Sequence, residues 1–347
     1  MSIREAPDPD DPIAYYIQYL RDAGRADSTV KSYIHSLRYL QTYLDQHNLS
    51  SDELTDRECA EFITWVQTQV AQSTAALYIG NVSKFYQFFS NRGTFETNPM
   101  AVPIDDANLS RDSSRHRREI TLKEMREFVR QIAHPQLLAM VVLFAKTGIR
   151  RGELVNLDFF DLHIDHPGAK RVLPDPRPEV RHRPDSLFVS SDISQGDAVR
   201  DDIRKNGNKR KRDTIIPLDH ETKRTLLLWV AAHPPSPNES APIFSQRAGM
   251  HSHRAMGERA SSEVVSNFVR TEAESYGWYN GGDGVQNNVT PHYFRHWFAT
   301  MAERHGLSRP LIKYIRGDVG GDIVDRYRHF WGDEVPQEYI GNIYSLF

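Results

Sequence analysis

The stretch PQLLAMVVLFAKTGIRRGELVNL, Pro135–Leu157, changes character halfway along. Its first part is apolar on every side, and a helix with no polar face belongs at the centre of a domain. It stops at Thr147-Gly148, a helix-ending signal. Arg150 and Arg151 follow at once, and the residues after them read as the start of a new helix. An arginine at such a junction is half fixed by its own backbone. It either pairs with a nearby carboxylate, Glu153 or Asp158, or aims its guanidinium at an external anion.

Upstream, Thr121 and Glu124 have the spacing of a capping box. Met125, Phe128, Val129 and Ile132 continue it as an amphipathic helix. Residues 101–118 carry Pro, Asp, Ser and Arg without periodicity and read as a linker. Before them, helical spacing recurs four times: Ile13, Tyr16, Ile17, Leu20; Val30, Ile34, Leu37, Leu40, with Ser28 and Thr29 as caps; Phe62, Trp65, Val66 after a Thr55–Glu58 capping box; and Val82, Phe85, Tyr86, Phe89, closed by the glycine of NRG. The expectation is a helical domain over 1–100, a linker over 101–118, and a second domain over 119–347.

Composition sets outer limits. A chain of 347 residues suggests two cores. No apolar run approaches a membrane span, and the polar start MSIREAPDPDDP lacks the apolar core of a signal peptide. Cys59 is the only cysteine, which excludes an intrachain disulfide and fits a reducing cytoplasm. The net charge of −3 does not advertise a nucleic-acid binder, but local patches decide such binding. Two basic segments stand out: Arg111, Arg115, Arg117 and Arg118 in the linker, and Arg204, Lys205, Lys209, Arg210, Lys211 and Arg212 in RKNGNKRKR. A charge run is by default a solvated loop. The second holds the hairpin-turn signal NGN and precedes DTIIPL, a β-branched strand pattern. A further short strand is expected at SLFVS, and helices at ETKRTLLLWVAAH and SSEVVSNFVRTEAESYG.

Further along, TPHYFRHWFATMAERHG, Thr290–Gly306, reads as an amphipathic helix. Phe294, Phe298 and Met301 form its core face, and it is loaded with His292, Arg295 and His296. Two histidines four apart could ligate zinc, though no acidic base lies between them as in the zincin motif. Alternatively Arg150 and Arg295 form two planar forks aimed at one phosphate, whose non-bridging oxygens they match. Tyr327 lies downstream among Arg326, Arg328 and His329. A lone tyrosine is usually core, and with a reference pKa of about 10 it becomes a nucleophile only where cations or a base assist it.

Together these pieces resemble the tyrosine recombinases, the family of phage integrases and Xer-type recombinases. TGIRRGEL is similar to the family's first catalytic box, HYFRH over His292–His296 to the second, and YRH at Tyr327 to the third. The wording of YFRHWFAT and KYIRGDV is most similar to integrases of haloarchaea and archaeal viruses. The resemblance implies a mainly α chain with a small β-sheet: an N-terminal helical core-binding, SAM-like domain and a C-terminal α+β catalytic domain. It implies site-specific cutting and rejoining of double-stranded DNA through a 3′-phosphotyrosyl link at Tyr327, without metal, ATP or other cofactor, by protomers assembling from dimer to tetramer on DNA. Arg150 and Arg295 would grip the scissile phosphate, and His292 would assist by hydrogen bonding or proton movement. A lysine on a hairpin would protonate the leaving 5′ oxygen; spacing from Pro217 nominates Lys209, with Lys205 and Lys211 as rivals. Lys205, Arg210, Lys211, Arg212, Arg115, Arg117 and Arg118 would contact DNA.

One position departs from the pattern. Asp318 stands nine residues before Tyr327, where the family usually has His or Trp. A carboxylate beside a phosphate is repelled unless neutralised or turned away. It could orient an arginine, accept the Tyr327 proton, or mark a role passed to His296 or His329. A DNA-binding regulator that has lost cleavage, or a relaxase like the type IB topoisomerases, is the alternative reading. The C-terminal tail, with Tyr339, Ile343, Leu346 and Phe347, either packs on its own domain or docks in a neighbouring protomer.

Overall fold

In a computed structural model, the described residues are 11–107, 109, 117–200, 202–233, 241–246, 258–283, 286–318 and 334–347. They form two compact units, which divide between Arg115 and His116.

The first unit packs α1 (Pro12–Asp22), α2 (Asp27–His47), α3 (Asp56–Gln69) and α4 (Gln72–Ser90) around an aromatic core. Leu40, Phe62, Phe85 and Phe89 are wholly removed from solvent. Each such ring contributes roughly 1.5–3 kcal/mol by burial. One polar seam joins α2 to α4: buried Asn81 donates to the hydroxyls of Ser36 and Ser32. The Thr55–Glu58 capping box opens α3 as expected. The start of α2 differs. Ala26 takes the N-cap position and makes no side-chain bond, while Ser28 and Thr29 lie inside the first turn. The expected linker also begins with structure. Ala101–Asp106 is a helix, α5, because Pro103 is buried and Ile104 packs against the aromatic core. Tertiary burial outweighed the lack of periodicity.

In the second unit, Thr121 and Glu124 cap α6 (Leu122–Gln131), and α7 (Pro135–Thr147) is the central helix. From Ala139 to Ala145 every α7 side chain is fully buried. The short α8 (Arg151–Val155) follows the Gly148 turn. A three-stranded antiparallel sheet has the order β1 (Leu162–His163), β2 (Ser186–Val189), β5 (Thr214–Pro217), with Leu187 opposite Ile216. The turn α9 (Pro178–Arg181) packs against β2. The long β2–β5 connection carries the basic segment. Within it β3 (Ala198–Val199) and β4 (Asp202–Ile203) pair as a separate small ladder. The NGN hairpin expectation is corrected here. Asn206–Asn208 lie in an irregular loop beyond β4, because Asn156 claims the Asn206 carbonyl and the Asn208 side chain for itself. The remaining helices are α10 (His220–Ala232), α11 (Ser262–Ser275), α12 (Pro291–Arg304), α13 (Arg309–Arg316) and α14 (Glu334–Asn342).

The C-terminal segment packs on its own domain. Tyr339 donates to the Lys146 carbonyl, and the amides of Leu346 and Phe347 donate to Glu221. Lys146, fully buried, pairs with Asp219 and Glu221 and also donates to the Tyr344 carbonyl.

Candidate active site

Two chain turns and a helix bring the charged groups together. The first ends α7. Gly148 takes a left-handed conformation (φ +60°), and a Cβ there would lie 2.7 Å from Phe298. Only glycine satisfies both demands, and the turn delivers Arg150 to the N-terminus of α8. Glu153 pins it: one carboxylate oxygen accepts from the Arg150 amide (3.0 Å), the other from its Nη1 (2.8 Å).

The second element is α12. Thr290 caps it, and Phe294, Phe298 and Met301 seat it in the core as expected. That seating buries Arg295. Its Nη1 donates to the Gly148 carbonyl (2.6 Å), and its Nη2 donates to the Arg316 carbonyl (3.0 Å) and to Asp318 (2.5 Å). Burial, then the neighbouring Arg150 and Arg316, push its guanidinium down to about 10, which leaves it charged near neutrality.

The third is the end of α13. Gly317 is left-handed (φ +67°), and the Asp318 amide reaches back to the Lys313 carbonyl while the Gly317 amide reaches Tyr314. This paired-bond helix ending fixes the Asp318 backbone. A Cβ on Gly317 would sit 2.5 Å from Arg210, so the glycine also lets that arginine pass beneath it.

The two turns and α12 meet at Asp318. One of its oxygens accepts from Arg150 Nη2 (2.9 Å) and Arg295 Nη2 (2.5 Å), and the other lies 3.1 Å from Arg316 Nε. Of the three accounts of this carboxylate, the contacts favour the first: it is neutralised by arginines and holds them. Of the two carboxylates that the sequence offered Arg150, it pairs with Glu153 and not with Asp158. Asp158 instead pairs with Arg204 and Arg259. Arg316 was not anticipated. The available signal was an arginine directly before the Gly-Asp at a helix end.

His292 and His296 lie beside the cluster with their Nε2 atoms 3.0 Å apart. Burial first, then Arg117, lowers both, and His296 falls to about 4. Two neutral rings sharing one N–H···N bond fit the downward direction of both shifts. Among the described residues no group of three potential metal ligands gathers.

The basic loop is anchored from below. Arg210 is buried, donating to Glu153 (3.2 Å) and the Ile315 carbonyl (3.0 Å). This corrects its assignment to DNA: a guanidinium buried beneath Gly317 and paired with Glu153 is out of reach of a backbone phosphate. Lys205, Lys209 and Lys211 are exposed. Both neighbours of Lys209 are tied down, Asn208 by Asn156 and Arg210 by Glu153, and the Lys211 amide lies 3.4 Å from the Gly317 carbonyl. Arg212 stacks over Tyr314, 4.5 Å from the ring centre. Arg118 spends its Nε on the Asn287 carbonyl, and its own carbonyl accepts from Tyr293. Arg117 is exposed on the histidine side. Arg115 and Tyr327 lie outside the described residues.

Residues 13–93 match the family described as phage integrase, N-terminal SAM-like domain. Over 315 residues the chain is 21% identical to tyrosine recombinase XerC of Staphylococcus carnosus, covering 90% of each protein. It is 22% identical over 336 residues to XerC of Pelotomaculum thermopropionicum, covering 93% of this chain and 95% of the relative. Among solved structures it is similar to the Tn1549 transposon integrase in complex with transposon right end DNA (TM-score 0.64, 15% identity, 94% of this chain and 98% of that one). It is also similar to a lambda integrase tetramer bound to a Holliday junction (TM-score 0.61, 17% identity, 90% and 77%).

Proposed function

The chain belongs to the tyrosine recombinase family, and on that premise we propose that Tyr327 is the nucleophile with which it cuts and rejoins duplex DNA. It is a site-specific recombinase of DNA. The observation that carries the assignment of roles is the convergence of Arg150 and Arg295 on one oxygen acceptor. Two planar forks meeting at one point suit a phosphodiester. They also stabilise the extra negative charge of the pentacovalent transition state. Tyr327 attacks the phosphorus, the 3′ phosphate becomes esterified to the phenol oxygen, and the 5′ oxygen leaves. Lys209 protonates that leaving oxygen, a role supported by its exposed side chain between two anchored neighbours. His292 is neutral near pH 7 and can accept or donate a proton beside the phosphate. A 5′ hydroxyl of the partner strand then attacks the phosphotyrosine, so the bond energy is conserved and no nucleotide cofactor is required. The positive charge that the step calls for comes from the arginines.

Exchange between two duplexes calls for two to four protomers, and relatives of this fold include a lambda integrase tetramer on a Holliday junction. The reading places the protein in the cytoplasm with its DNA. Among the described residues no helix is long and apolar enough to cross a membrane.

The test is a nicked suicide duplex carrying the target site. Wild type should form a covalent protein–DNA adduct on a denaturing gel, and Tyr327→Phe should form none. An adduct that survives Tyr327→Phe would remove the nucleophile assignment. Relaxation of supercoils by a monomer, without joining of two sites, would favour the relaxase alternative.

A further inference from the structure

We propose that Asp318 is an internal stand-in for the scissile phosphate: its carboxylate occupies the point where Arg150 and Arg295 converge and must yield it when DNA binds. The inference rests on the reading of this cluster as the phosphate site.

The charge balance is the first support. Four guanidiniums meet here, those of Arg150, Arg210, Arg295 and Arg316, against the two carboxylates of Glu153 and Asp318. Four positive and two negative charges leave two positive charges over. Once Asp318 turns away the excess rises to three, enough to hold a phosphodiester that gains a second negative charge as it becomes pentacovalent. Without any counter-ion at the centre, Arg150, Arg295 and Arg316 would repel one another in a partly buried, weakly screened site.

The two carboxylates are not equivalent. The Glu153 side chain is fully buried and is bound by the Arg150 amide as well as by two guanidiniums, so it is a fixed part of the scaffold. The Asp318 side chain keeps 27% of its surface open and, among the described residues, is held by guanidiniums alone. Its backbone is fixed by the bond to Lys313, yet the side chain can turn about its own torsions.

The donors are divided in the same way. Nη1 of each fork is committed inward, Arg150 to Glu153 and Arg295 to the Gly148 carbonyl. Nη2 of each ends on the same Asp318 oxygen. The other Asp318 oxygen lies by Arg316, so the carboxylate offers these three guanidiniums two oxygens, much as a phosphodiester offers its two non-bridging oxygens. A phosphate that takes the Nη2 donors must therefore displace the carboxylate. Asp318 lowers the resting affinity for anions and keeps the forks preorganised until one arrives.

The experiment measures binding of inorganic phosphate to the full-length protein by calorimetry, at constant ionic strength set with chloride. Wild type is compared with Asp318→Asn and Asp318→Ala, each checked for folding by circular dichroism and thermal melting. Removing one like charge from a partly buried anion site should tighten phosphate binding at least about tenfold in both variants. Adding Arg150→Lys to Asp318→Asn should reverse most of that gain. Unchanged or weaker binding in the neutral variants would overturn the proposal and leave Asp318 as an orienting group only. So would failure of both variants to fold, since the carboxylate would then be part of the scaffold. The outcome is independent of Tyr327: a gain in phosphate affinity together with no covalent adduct in wild type would sink the recombinase roles and leave the anion stand-in.

Discussion

The second domain holds two buried cationic centres that differ in their accounts of charge. At Lys146 one ammonium faces two carboxylates, Asp219 and Glu221, and the Tyr344 carbonyl completes it. The centre is closed, and Glu221 also receives the last two amides of the chain. Around Asp318 the cations outnumber the anions, and the central carboxylate is partly open to solvent. The first arrangement leaves no demand for a ligand and fastens the C-terminal tail. The second carries positive charge that its two carboxylates do not balance. Cations buried in one domain thus do two different jobs, and the balance of partners tells which.

The comparison breaks most directly at Lys146. Lys146→Ala leaves two carboxylates without their cation and should cost about 3–5 kcal/mol of stability. Denaturant unfolding would show the loss, and limited proteolysis should then trim the tail. A loss under about 1 kcal/mol would mean that the centre is not what holds the segment. Arg150→Lys is the counterpart in the open centre. Arg210 still answers Glu153, so the melting temperature should shift little. Strand cleavage should nevertheless fall on the order of a hundredfold, because a lysine cannot reproduce the planar fork. Equal damage to stability and cleavage in this variant would erase the distinction between the centres.

A smaller effect tests the electrostatics of the open centre through pH. Burial, Arg117 and His292 hold His296 down at about 4, against an ordinary value of 6.5. The folded state therefore resists protonation where the unfolded chain accepts it. This contribution to stability is intact above pH 6.5 and is lost progressively as pH falls from 6.5 toward 4. His296→Gln should flatten that part of a stability–pH curve. An unchanged slope would show that the ring does not feel the cations. Salt gives the mildest adjustment. DNA affinity should fall with rising salt, and Lys209→Gln should reduce the slope by about one unit, as expected for one lost phosphate contact.

Much of this site is legible in the sequence because helices advertise themselves locally. The Thr55 and Thr121 capping boxes, the all-apolar α7 and the core face of α12 are set by residues within a few positions of one another, and each appears where its pattern places it. The motifs that resemble the family's boxes name Arg150, His292 and Arg295 for the same reason: each box is a few consecutive residues. The misses share another cause. Ala101–Asp106 became a helix through burial of Pro103 against α3, a contact that periodicity cannot report. Arg210 reads as one more basic residue in RKNGNKRKR, and only the approach of Gly317 and Glu153 buries it.

The sequence by itself determined the domain order, most helices and the residue types of the arginine cluster, since these depend on patterns within one or two turns of chain. Only the tertiary structure decided the role of Asp318. In the sequence it is an acid where the family has His or Trp. In the fold it lies against arginines from three separated segments, one of them 168 positions away. The energy of a charge depends on what surrounds it in space, and that is what the chain has to fold to decide.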